Sequence, residues 1–290
     1  GIRLTNESDN FADNFSITRM ASSAARFYGA ALGYEPGGFG SARGVVARLF
    51  NAVTTGAEHL FYYHSNLYGN DQGIDAWLAD AQLFDRRAKP MIDVAAFYPD
   101  TQIKLDDEVI RDRWGSVFLT LAQELRSVVD YDYVSEQMIA DGALDRYKVL
   151  VFLWGHTTEK PILERIARWV EAGGIVICHE RARGPLSTVE GDVSVSRRWH
   201  DGQTGKGRVL FYPGDIQPGD YYARFILAEL RKLSNLRPEI RKALSIEKPP
   251  EVYWSVLEGG ALALLNFNDS EAEVRIDGGN VLRMKPYTMT

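Results

Sequence analysis

The stretch Val94-Ala95-Ala96-Phe97-Tyr98-Pro99-Asp100 decides how the middle of this chain is read. Five apolar residues follow one another with no polar alternate, the pattern of a strand covered by helices on both faces, and Pro99-Asp100 ends it as a loop would. A helix is expected next. Asp106-Asp107 can cap it, and Val109, Ile110, Trp114, Val117, Phe118, Leu121, Leu125 and Val128 recur at three-to-four spacing to form one apolar stripe.

The theme repeats downstream. Residues 129–134 read as a short strand, and Val149-Leu150-Val151-Phe152-Leu153-Trp154 as a central one bounded by Gly155. Thr157 or Thr158 is the expected cap of a helix that turns Ile162, Ile166, Trp169 and Val170 inward and stops at Gly173-Gly174. Ile175-Val176-Ile177-Cys178 and Val209-Leu210-Phe211-Tyr212 supply two more strands, and residues 222–233 a closing helix with Arg231-Lys232 at its cation-favouring end. Such alternation implies right-handed βαβ units, hence a doubly wound, flavodoxin-like parallel sheet over about residues 90–240.

Beyond Pro249-Pro250 the period changes to two. Residues 252–256, 261–266, 272–276 and 281–284 read as antiparallel strands, with turns at Gly259-Gly260, Asn268-Asp269-Ser270 and Gly278-Gly279. This part, residues 241–290, is a small β domain expected to pack on a neighbour, since so short a segment makes a poor core alone. The first 89 residues alternate helix (around 17–27 and 45–53) with short runs at Ala30-Ala31-Leu32 and His59-Leu60-Phe61-Tyr62-Tyr63. Each run ends in polar residues, Glu35 after one and His64-Ser65-Asn66 after the other, where a parallel barrel places its chemistry.

Composition bounds the function. With 290 residues there is room for two domains or one and part of another, at roughly 100–200 residues each. Hydrophobic residues at 45% and charged residues at 25% fit a folded globular protein rather than disorder. A net charge of −6 offers no basic stripe to displace counterions from a phosphate backbone, which argues against nucleic acid as a partner. No apolar run approaches the roughly 18 residues of a membrane span. The single Cys178 suits a reducing compartment such as the cytoplasm, and equally many secreted bacterial enzymes, so localisation stays open. No metal-ligand spacing, phosphate loop or Gly-x-Gly-x-x-Gly fingerprint occurs, and neither metal nor cofactor is expected. The chain opens on Gly1, without the order of a signal peptide, and residues 2–7 read as a strand already under way, so a fragment or processed product is expected.

The most specific pattern is Gly33-Tyr34-Glu35-Pro36-Gly37-Gly38, then Arg48-Leu49-Phe50-Asn51-Ala52, Thr55-Gly56-Ala57 and Leu60-Phe61-Tyr62-Tyr63. In these motifs, and in the order of its parts, the chain resembles the glycoside hydrolases related to the family 42 β-galactosidases. Their subunits carry a catalytic TIM barrel, a flavodoxin-like trimerisation domain and a small β domain. The resemblance implies an α/β fold: a partial (β/α)8 barrel end over residues 1–89, the doubly wound sheet over 90–240, and the antiparallel domain over 241–290. It implies a carbohydrate hydrolase of the β-galactosidase type, assembled as a homotrimer. It places Glu35 as the nucleophile at the end of the seventh barrel strand and the segment to Tyr63 as the eighth.

A retaining glycosidase needs a second carboxylate about 5–5.5 Å from the first. Asn6-Glu7 imitates the family's acid/base pair, yet residues 8–34 cannot hold the three βα units that should intervene. Glu7 is therefore placed on the sixth strand, lining the sugar pocket, and the acid/base is expected outside this chain. Tyr62, His64 and Asn66 are the other candidates for contacting sugar hydroxyls, through an aromatic platform and a polar edge. The competing reading is an inert assembly or sugar-binding module. Cys178-His179-Glu180 evokes an amidotransferase triad, but adjacent strand residues point to opposite faces and no glycines flank Cys178, so a buried strand cysteine is expected. Gly155-His156-Thr157-Thr158 could offer amides to an anion, and reads more simply as a capping turn.

Overall fold

A computed structural model of the chain describes residues 1–5, 8–35, 41–62, 71–105, 117–154, 158–179, 202–214, 219–276 and 279–290. In chain order its elements begin β1 (Ile2–Leu4), α1 (Phe11–Tyr28), β2 (Leu32–Tyr34), α2 (Ala42–Thr54), β3 (His59–Leu60) and α3 (Asp71–Asp80). They continue as β4 (Val94–Tyr98), α4 (Asp100–Leu105), α5 (Val117–Val128), β5 (Asp132–Ser135), α6 (Glu136–Ala140), β6 (Val149–Val151), α7 (Lys160–Glu171) and β7 (Ile175–His179). The last third holds β8 (Gly202–Thr204), β9 (Gly207–Tyr212), α8 (Tyr221–Lys232), α9 (Pro238–Leu244), β10 (Val252–Val256), β11 (Leu262–Asn266), β12 (Ala272–Ile276), β13 (Asn280–Met284) and β14 (Thr288–Met289). Two compact units result: Gly1–Met91 with Arg126–Asp130 and Arg237–Thr290, and Ile92–Leu125 with Tyr131–Leu236.

The second unit is a six-stranded sheet in the order β5-β4-β6-β7-β9-β8, parallel except for the hairpin strand β8. Leaving out β8, this is the flavodoxin-like order 2-1-3-4-5, whose direction of winding reverses between β4 and β6. Residues 94–97, 149–153 and 175–179 are buried without alternation. That is why their sequences read as continuous apolar runs, because helices cover both faces. Helix α7 meets the sheet through Ile162, Leu163, Ile166 and Val170.

One helix is additional to the expectation and one starts later than expected. The chain turns helical at Asp100, directly after Pro99, whereas Asp106 and Asp107 lie outside the described residues. Helix α7 is preceded by Glu159 rather than Thr157 or Thr158, and takes Pro161 in its first turn, where a missing N–H costs nothing. Gly155, His156 and Thr157 lie outside the described residues. In both cases the cap comes from a distant residue, Glu136, described below.

In the first unit β1, β2 and β3 form a parallel three-stranded sheet, with α1 and α2 as the intervening helices. This is the repeating pattern of a (β/α) barrel, and three strands do not close one. Asn10 caps α1 by accepting the Asp13 N–H, and Gly29 ends it with φ 68°. Hence α1 is longer than expected and β2 begins at Leu32, two residues late. Leu32 and Tyr34 pack with Ala25, Ala52 and Ala57, joined at the margin by Ile2, Leu4 and Leu60.

The C-terminal strands belong to this same unit. β10 pairs antiparallel with β11 around Gly259-Gly260, whose φ values of 91° and 85° suit glycine, and β14 closes the other side of β11. Buried Asn266 donates through Nδ2 to the carbonyls of Ser270, Met284 and Lys285, tying the β12–β13 hairpin to β11. Within the same unit Arg19 and Arg126 are fully buried beside one carboxylate, Asp130. Arg126 Nη2 also donates to Ser255 Oγ at 3.1 Å, and the two guanidinium carbons sit 4.4 and 4.7 Å from the Phe15 ring centre.

Candidate functional site

Strand alternation sorts the candidate residues onto two faces of the β1-β2-β3 sheet. In its register Arg3 lies beside Gly33 and Gly33 beside His59, while Leu4, Tyr34 and Leu60 share the next row. Leu4, Tyr34 and Leu60 face the helices and belong to the core. The opposite face therefore carries Arg3, His59 and, one step further, Glu35 and Phe61. The ladder continues through that step: Glu35 N–H donates to Leu4 O and Phe61 N–H to Tyr34 O, each at 2.9 Å.

Glu35 thus stands at the carboxyl end of the middle strand and is only 7% exposed. Its Oε2 lies 2.6 Å from Arg3 Nη1, an ion pair whose arginine is 73% exposed while the carboxylate is shielded. Among the described residues Phe61, 54% exposed, is the aromatic one on the same face. Gly33 keeps the row beneath flat, because a Cβ there would come within 3.3 Å of His59 Cβ.

Tyr62 lies on the other side. Its ring meets Trp77 of α3 edge-on at 5.1 Å, and burial pushes its phenol pKa up, opposed in part by nearby Arg48. The structure therefore does not bring Tyr62 to the face that carries Glu35. Glu7, His64 and Asn66 lie outside the described residues.

Three contributors escaped sequence reasoning. Arg48 is buried in α2 with Nη1 3.2 Å from Asp9 Oδ1, and Asp9 Oδ2 accepts the Ser41 N–H at 3.1 Å. Ser41 in turn caps α2 by accepting the Gly44 N–H. Asp9 thus holds both ends of the first turns of the helix that follows Glu35. The signal for Arg48 was present, a lone arginine inside the apolar run of 45–53. The third, Arg3, had no local signal, because its partner is reached only through strand pairing.

In the second unit Cys178 is fully buried in β7 between Ile177 and His179. The Tyr222 hydroxyl donates to the carbonyl of Phe152 at 2.9 Å. Glu180 lies outside the described residues. Among the described residues no group of three or more His, Cys, Asp or Glu side chains could hold a metal ion, and no helix is long and apolar enough to cross a membrane.

No family model matches the chain, and no curated protein sequence does. Solved structures do. Gan42B, a GH42 β-galactosidase from G. stearothermophilus, superposes with a TM-score of 0.69 at 12% identity, over 97% of this chain and 56% of its own. A cold-adapted β-galactosidase from Rahnella sp. R3 gives 0.69 at 12%, over 100% and 59%. An exo-carrageenase of the same GH42 class from Bacteroides ovatus gives 0.56 at 12%, over 90% and 41%. The fold is therefore that of part of the GH42 β-galactosidase architecture, and the chain spans little more than half the length of the first two structures it matches.

Proposed function

We propose that this chain is the C-terminal portion of a retaining, β-galactosidase-like glycoside hydrolase, with Glu35 as the nucleophile. The observation that carries this reading is the position of Glu35. Its carboxylate is shielded and salt-bridged at the carboxyl end of a parallel strand, in a fold shared with the GH42 β-galactosidases. In a double displacement Glu35 attacks the anomeric carbon while a second carboxylic acid, about 5–5.5 Å away, protonates the leaving oxygen; the same residue, now a base, then delivers water to the glycosyl-enzyme. That second group is supplied by sequence outside this chain, so the chain alone turns over no substrate.

Arg3 orients the nucleophile, and Phe61 supplies the apolar surface beside it. Glu7, His64 and Asn66 are further proposed contacts for the sugar hydroxyls, whereas Tyr62 packs on Trp77. The substrate class is a β-linked sugar of the galactoside type. The second unit has no catalytic triad in this reading and serves as the scaffold of a homotrimer. The test is to trap the full-length protein with a 2-fluoro glycoside bearing an activated leaving group and to map the labelled peptide. A label on Glu35 supports the assignment and a label elsewhere removes it. Absence of any label or hydrolysis across aryl β-glycosides, with a trimer seen by light scattering, favours an inert assembly module instead.

A further inference from the structure

The doubly wound sheet of the second unit reverses its winding between β4 and β6, and in such sheets the crevice outside the carboxyl ends at that point is where ligands are ordinarily received. Here a side chain of the protein crosses it. Glu136 follows β5 at the edge of the sheet, is 6% exposed, and sends its carboxylate across the end of β4. Oε1 accepts the Thr101 N–H at 2.9 Å and Oε2 the Thr101 hydroxyl at 2.7 Å. The carboxylate also accepts the backbone N–H of Glu159, which precedes α7 beyond β6. In return Asp100, which opens α4, accepts the Glu136 N–H through Oδ2 at 2.8 Å.

Three consecutive strand-to-helix crossings are thus joined by two carboxylates. Each takes an N–H that a helix start leaves without an intrahelical partner. Among the described residues Glu136 takes the Thr101 N–H, the Thr101 hydroxyl and the Glu159 N–H, so its removal takes an acceptor from two backbone donors and a hydroxyl at once. Burial is what the carboxylate bears in exchange, raising the pKa values of both Glu136 and Asp100.

We propose that Glu136 is an internal anion that closes the crevice at the winding reversal and locks the β4–α4, β5–α6 and β6–α7 crossings into one rigid body. The second unit is then a self-filled scaffold whose crevice needs no external ligand. This inference is independent of the glycosidase reading.

The experiment is chemical rescue in the intact chain. Thermal melts of wild type and Glu136→Ala are compared across a titration of sodium acetate and formate at constant ionic strength set with chloride. Expected is a saturable rise in the melting temperature of the variant, about 3 °C once the anion reaches ten times its dissociation constant, with wild type unmoved. A rise no larger than chloride gives, or one equal in wild type, overturns the proposal. Should Glu136→Ala fail to fold, Glu136→Gln is followed by hydrogen exchange. The Thr101 or Glu159 amide should then exchange at least about tenfold faster than in wild type, with Val151 and Ile177 unchanged, since one amide oxygen cannot replace two carboxylate oxygens. Uniform exchange across these positions overturns the interlock.

Discussion

Replacing Asp130 by alanine removes a carboxylate shared by two fully buried guanidiniums, Arg19 and Arg126. Arg19 keeps its bond to Thr54 O at 3.3 Å, and Arg126 keeps Ser255 Oγ at 3.1 Å together with the faces of Phe15, Phe11 and Tyr253. None of these neutralises charge. Breaking a buried ion pair by removing one partner costs about 3–5 kcal/mol, and here two cations lose the same partner, which points to the upper part of that range. For a unit of this size such a loss corresponds to a fall of about 10 °C or more in melting temperature. The assay is urea denaturation of wild type, Asp130→Ala, Arg19→Met and the double variant, each followed by segment-resolved hydrogen exchange so that the first unit is read by itself. Arg19→Met should cost clearly less in the Asp130→Ala background than in wild type, because the Arg19–Asp130 pair is already broken there. A loss below about 1 kcal/mol for Asp130→Ala, or strictly additive single losses, would refute the reasoning that this carboxylate holds the buried charges in place.

Lys248 gives a pH-dependent counterpart. Burial, with a smaller push from Arg126, lowers its pKa to about 8 from 10.5, while its Nζ donates to Ser127 O at 2.8 Å. Between those values the unfolded chain binds the proton that the folded chain has lost, so stability should rise with pH from about 8 to 10.5 on this account. Lys248→Met should flatten that rise in the urea midpoint measured at pH 7.5 and 9.5, and an unchanged slope would contradict it. Gly207→Ala should destabilise the second unit by about 2 kcal/mol or more, because a Cβ there would lie 2.1 Å from Gly174 O and 2.2 Å from Val170 O, backbone atoms that cannot rotate aside. A melting temperature within 1–2 °C of wild type would show that the start of β9 yields more easily than the geometry allows.

Much of the architecture was legible because its causes are local. Val94-Ala95-Ala96-Phe97-Tyr98 forms its strand over the expected residues, as do residues 252–256 and 272–276; of the latter two only 272–276 alternates buried and exposed side chains, residues 252–256 being buried throughout. What local pattern could not reach was anything decided by a partner far along the chain. Helix α4 starts at Asp100 and α7 after Glu159, and the donors at both starts are taken by Glu136, which is 35 positions from Thr101. The site shows the same division. Glu35 was proposed from its motif, whereas its ion-pair partner Arg3 is reached only through the parallel register of β1 and β2. Leu60-Phe61-Tyr62-Tyr63 is apolar or aromatic throughout, so nothing in it says which residues face inward. A shift of one residue exchanges the two faces, and it is Phe61 that shares the face of Glu35.

Arg3 is where the structural and functional readings can be separated. Its guanidinium contacts Glu35 Oε2 at 2.6 Å, yet the arginine side chain is 73% exposed, so water and salt screen the pair from one side. A pair of this kind contributes about 0–1 kcal/mol to folding. Holding a carboxylate in one orientation for in-line attack is a different matter, since misplacement by about 1 Å can cost as much as 100-fold in rate. Arg3→Met keeps the length of the side chain and removes the fork. The melting temperature of the chain should then move by less than about 2 °C, and 1 M sodium chloride should shift wild type and variant alike. In the full-length protein, inactivation by the fluorinated glycoside should slow by about tenfold or more, with the label still on Glu35. A large loss of stability would make Arg3 a structural residue, and an unchanged inactivation rate would leave Glu35 oriented by groups other than Arg3.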